Sequence, residues 1–89
     1  MITFERNSGV HQSKTFWRWL QENPEGFFVN IVSPRSALIH RGSCWHMHFA
    51  NPAQVNFLGT EKWCGAERAE LERTAEARGI ALRACTSCI

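Results

Sequence analysis

A chain of 89 residues has room for one domain and a modest core, so a disulfide, metal or partner is expected to help hold it. Ten Lys and Arg against eight Asp and Glu give a formal charge of +2, too little to point to nucleic acid unaided. No stretch approaches the roughly 20 apolar residues of a membrane span, which excludes a helical membrane anchor within these residues.

The opening Met1-Ile2-Thr3-Phe4-Glu5-Arg6 has no basic start followed by an apolar run, so no secretory signal is expected. We read the chain as cytoplasmic, where thiols stay reduced. In that setting the four cysteines Cys44, Cys64, Cys85 and Cys88 favour a metal over disulfides.

Residues 1–12 read as a polar lead-in broken at Asn7-Ser8-Gly9. Ser13 is the expected N-cap of a helix over 13–23, with Phe16, Trp19 and Leu20 on one apolar face and Trp17 at its flank. Asn23-Pro24-Glu25-Gly26 ends that helix. Phe27 to Val32, β-branched and aromatic, predicts a strand. Ser33-Pro34-Arg35-Ser36 turns it into a partner strand, Ala37 to His40, and Arg41-Gly42-Ser43-Cys44 turns the chain again. Trp45 to Thr60 gives no clear element: it holds His46 and His48, an Asn51-Pro52 break and the ambiguous Val55 to Leu58. Glu61 to Cys64 predicts a short strand, and Ala66 to Arg78 a helix of strong formers, with Leu71 and Ala75 on its inner face and Gly79 as its stop. Ile80 to Leu82 runs extended into the final cysteines. The expected architecture is a small α+β domain spanning 1–89: an N-terminal helix, a hairpin or short sheet, a second helix and a closing Cys-x-x-Cys knuckle.

Cys85-Thr86-Ser87-Cys88 is the anchor of the chemical reading. Two cysteines at this spacing wrap a tight turn and present both sulfurs to one ion. The same spacing serves redox pairs, but those sit at a helix N-terminus that activates one thiol, and here no helix follows in the sequence. A tetrahedral site needs two more donors. His40 and Cys44, across the turn that contains Gly42, are the favoured pair; an all-cysteine set with Cys64 in place of His40 is the rival. Three thiolates around one Zn²⁺ would lower the net charge to about +1. Cys64 reads otherwise as a small buried hydrophobe. His46 and His48 read as exposed or hydrogen-bonded histidines, and His11 carries no signal.

With Ile39 to Cys44, the helix ending Ala75-Glu76-Ala77-Arg78-Gly79, and Arg83 to Cys88 in this order, the chain resembles the zinc-binding N-terminal domain of the Ada DNA-repair family over residues 27–88. That family carries a Cys-x-x-x-Cys turn and a closing Cys-x-x-Cys. The resemblance implies a zinc fold, but His40 stands where the family has the cysteine that accepts a methyl group from DNA phosphate. An imidazole cannot act as that thiolate, so methyl-transfer repair is not expected. The same turn and knuckle also resemble small bacterial domains that bring no activity with them.

For function, Arg35, Arg41, Lys62 and Arg83, with Trp45 and Trp63 beside them in sequence, suggest contacts to phosphates and bases, against the alternative of a solvated arginine rim and core tryptophans, which is favoured for each tryptophan. Phe16, Trp17, Trp19 and Leu20 suggest a protein-docking helix if Trp17 or Trp19 is exposed. No nucleophilic triad, phosphate-cradling glycine loop or paired carboxylate is visible, Glu61 and Glu67 read as surface charges, and four protein ligands leave a zinc ion no open position. A non-catalytic, zinc-stabilised binding module follows, for nucleic acid or alternatively as a protein-interaction accessory.

Overall fold

The computed structural model describes residues 1–5, 10–44, 61–86 and 88, with the backbone alone for 10–13. Its elements in chain order are β1 (Ile2–Phe4), α1 (Val10–Glu22), β2 (Phe27–Ser33), β3 (Ser36–Arg41), β4 (Lys62–Gly65), α2 (Arg68–Ala77) and β5 (Ala81–Ala84). The five strands form one mixed sheet in the order β1-β4-β2-β3-β5, antiparallel except for the parallel pair β3–β5. The class is α+β.

Strand alternation divides the side chains between two faces. Val29, Ala37, Ile39 and Trp63 point to one face and are covered by Leu71 and Ala75 of α2. Phe4, Phe28 and Cys64 point to the other and meet Phe16, Trp17 and Leu20 of α1. Phe16 packs edge-on against Phe4 and against Phe28, with both centroid separations 5.6 Å, a favoured aromatic geometry.

Both helices follow from local chemistry, α2 in its stop signal and α1 with two revisions. α2 ends as its sequence predicts. Gly79 adopts φ of +69°, the N–H of Ile80 reaches the carbonyl of Ala75 and that of Gly79 reaches Glu76, so the last carbonyls are satisfied in a Schellman arrangement. α1 starts at Val10, so Ser13 lies inside the helix and is not its N-cap. Within α1, Trp17 is buried (6 % exposed) and Trp19 is only partly so, the reverse of the expected order. The residues at 16, 17 and 20 line the sheet because the helix meets it through Phe28 and Phe4 rather than through a face centred on 19. The lead-in also needs correcting: Ile2–Phe4 is a strand paired with β4, so the sheet extends beyond the unit expected at 27–88.

The β2–β3 hairpin is as predicted, with one addition. Its register shifts between Ile31 and Ser33. From the Ser33–Ser36 pair at the turn, an unbroken ladder would set His40 opposite Val29. The irregularity sets it opposite Phe28 instead. Opposed residues share a face, so this one-residue shift turns His40 from the α2 face to the α1 face.

Candidate metal centre

His40, near the end of β3, is delivered to the α1 face and stacks on the ring of Phe28, with centroids 4.7 Å apart and planes 12° from parallel. The chain then turns, closed by the N–H of Cys44 donating to the carbonyl of Arg41 at 3.0 Å. Gly42 makes that turn fit. Its N–H donates to Gly26, and a Cβ there would lie 2.2 Å from the carbonyl oxygen of Asn23. Only a residue without a side chain lets the turn rest on the α1–β2 connection.

The second half-site arrives from β5. Ala84 is paired with Ile39, and the N–H of Cys85 extends the ladder to the carbonyl of Ile39 at 2.9 Å. Cys85 therefore emerges beside His40. The N–H of Cys88 turns back to Cys85 at 3.4 Å, and Arg41 holds the knuckle twice: its N–H approaches Cys88 Sγ at 3.4 Å, and its Nε donates to the Cys88 carbonyl at 2.8 Å. The guanidinium also lies 5.6 Å over the Phe27 ring.

One donor atom from each of His40, Cys44, Cys85 and Cys88 lies within 4.8 Å of all the others. His40, Cys44 and Cys85 are buried, and Cys88 is half-exposed. These four lie close enough to bind one metal ion. The edges of this cluster fit a particular ion size. Tetrahedral Zn²⁺ with bonds of about 2.3 Å to sulfur and about 2.05 Å to nitrogen needs edges of about 3.8 Å between sulfurs and about 3.6 Å between nitrogen and sulfur. Cys44 Sγ lies 4.0 Å from Cys85 Sγ and 3.5 Å from His40 Nδ1. The sulfur separation is about twice a disulfide bond length, and none of the four cysteines is in a disulfide.

The rival ligand Cys64 is not in this cluster. It pairs with Phe28, which in turn pairs with His40, so one whole strand separates it from β3. Neighbouring strands lie about 4.8 Å apart, which puts Cys64 roughly twice that from His40. It is fully buried, and burial pushes its thiol up to about 12, against a smaller opposing effect of nearby Lys62. It acts as a small core hydrophobe.

The candidate phosphate contacts do not form one group. Arg35, Arg41 and Arg83 are exposed along the β3–β5 side of the sheet. Lys62 is half-buried; its Nζ donates to Asn30 Oδ1, and burial lowers its pKa to about 8. Trp63 is fully buried on the opposite face, its Nε1 donating to Glu61 and the Arg78 guanidinium lying 4.9 Å over its ring. It is core and not a base-stacking platform. Glu61 is correspondingly a partner of Trp63 and Arg78. Trp45, His46 and His48 lie outside the described residues, as does the side chain of His11.

Three contributors escaped the sequence reading: Phe28 as the plate beneath His40, Arg41 as the clamp on Cys88, and Gly42 as the point of close approach. Gly42 was legible as a turn glycine. The other two depend on strand register and on β5 lying against β3, which leave no local trace. Comparison with known proteins found no matching family model, no matching curated protein and no matching solved structure. Among the described residues no helix is long and apolar enough to cross a membrane.

Proposed function

We propose that this domain is a non-catalytic binding module stabilised by a structural Zn²⁺ held by His40, Cys44, Cys85 and Cys88. The observation that carries the reading is the convergence of one imidazole and three thiols within 4.8 Å at the junction of β3 and β5. Sulfur-rich sets with one histidine suit zinc, and four protein donors leave a tetrahedral ion no position for a reacting water. The Ada-like order of the two half-sites supports the same reading, and His40 in the first position speaks against methyl transfer. Elemental analysis of the purified protein should give one zinc per chain. Chelation should unfold the domain, because metal-binding energy is folding energy in such sites. Thermal unfolding at the same temperature with and without chelator would overturn the reading.

For the partner, nucleic acid is favoured over protein. The exposed residues Arg35 and Arg83, with Arg41 beside the Cys88 knuckle, support it. The burial of Trp17 removes one of the two anchors that suggested a protein-docking helix, and Trp19 is partly buried against the same core. Binding to single- and double-stranded oligonucleotides that weakens steeply with salt would support the nucleic-acid reading. Absent or salt-insensitive binding would leave the protein alternative.

A further inference from the structure

The four donors differ in access. Cys44 is 1 % exposed, and Cys85 and His40 are each 7 % exposed; Cys88 alone is half-exposed. A solute that attacks sulfur reaches the centre through Cys88. The knuckle that carries Cys88 is held by a turn to Cys85 and by Arg41. Cys44 sits deeper, in the turn that rests on Asn23 and Gly26 through Gly42. Rotating the Cys88 side chain towards Cys85 therefore disturbs one short turn, whereas bringing Cys44 to Cys88 disturbs the packing of the α1–β2 connection. Sulfurs already held within 4.8 Å need only close to the roughly 2.05 Å of a disulfide bond.

We propose that Cys88 is a peroxide-reactive site, at which two-electron oxidation joins Cys88 to Cys85 and expels the metal ion. The proposal rests on the zinc reading above. In the first step the Cys88 thiolate attacks one peroxide oxygen; an S–O bond forms, the O–O bond breaks and hydroxide leaves. In the second, the Cys85 thiolate attacks the Cys88 sulfur; an S–S bond forms, the S–O bond breaks and a second hydroxide leaves. Two solvent protons complete two waters, so two thiolates are oxidised and one peroxide is reduced. The ion then keeps only His40 and Cys44 and is released. The centre would report oxidant as loss of its own staple, which a dithiol reductant and zinc reverse.

The experiment treats the zinc-loaded protein with hydrogen peroxide in the presence of a chromogenic chelator, followed by mass-spectrometric disulfide mapping. Zinc content is measured beforehand. The expected result is one zinc released per peroxide consumed, a Cys85–Cys88 disulfide, and recovery of zinc binding after dithiothreitol. Cys64→Ser should release zinc with the same stoichiometry. Zinc that stays bound while peroxide is consumed, or a disulfide that omits Cys88, overturns the proposal and leaves the zinc reading standing. A protein that contains no zinc before peroxide is added overturns both.

Discussion

The two faces of the sheet are closed by different means. On the α2 face, Val29, Ala37, Ile39, Leu71 and Ala75 surround Trp63, and the covering helix carries its own stop signal at Gly79. Hydrocarbon burial of this kind needs nothing from outside the chain. On the α1 face, Phe4, Phe16, Trp17, Leu20 and Phe28 run into Cys44 and Cys85, so the apolar cluster continues directly into sulfur and imidazole. Under the zinc reading proposed above, one ion shared by all four donors would tie this face together. The contrast teaches that one face of this small domain closes on hydrocarbon alone, whereas the other ends in a set of metal-donor side chains.

That contrast can be broken most sharply at the ligands. Cys85→Ser should unfold the domain at room temperature, since a stability of about 5–15 kcal/mol is comparable to the roughly 10–16 kcal/mol of binding energy that a structural zinc supplies. Cys64→Ser, equally buried but outside the cluster, should cost only about 1–3 kcal/mol for the buried hydroxyl. Urea unfolding of both variants checks the order; a larger loss from Cys64→Ser would reverse the ligand assignment. The dry face provides the converse. Leu71→Ala should cost about 2–5 kcal/mol through the cavity it leaves, while zinc content stays at one per chain. Loss of zinc in that variant would show that the two faces are not independent.

The smallest effect concerns the α1 face beyond the donors. The folded chain holds the Cys64 proton up to about pH 12, whereas an ordinary thiol releases it near 9.0, so this group makes stability fall as pH rises across that window. Lys62 acts the other way: the unfolded chain keeps its proton to about 10.5 and the folded chain loses it near 8, so stability rises across that interval. With zinc saturating, urea midpoints should therefore rise slightly from pH 8 to 9 and fall above 10.5. Cys64→Ala should abolish the fall, and an unchanged decline would show that Cys64 does not cause it.

Much of this was readable along the chain because it is local. The Cys85-x-x-Cys88 spacing, the Gly42 turn between His40 and Cys44, the hairpin around Ser33 to Ser36 and the Gly79 helix stop each involve a few consecutive residues whose chemistry decides their conformation. Strand β1 leaves no legible pattern because Ile2, Thr3 and Phe4 are too few to show alternation; their partners Cys64, Trp63 and Lys62 lie on β4, some 60 positions away. Trp17 and Trp19 were ordered wrongly because helix periodicity defines a stripe but not which edge of it meets the sheet. Between His40 and Cys64 the sequence left a choice, since both are suitable donors. That choice turned on two features of the tertiary structure. The register shift near Val32 rotates His40 onto the cysteine face, and the β4-β2-β3-β5 order puts Cys85 next to His40 while holding Cys64 a full strand away. The donor types were a property of the residues; their convergence on one point is a property of strand register and order, which only non-local hydrogen bonding sets.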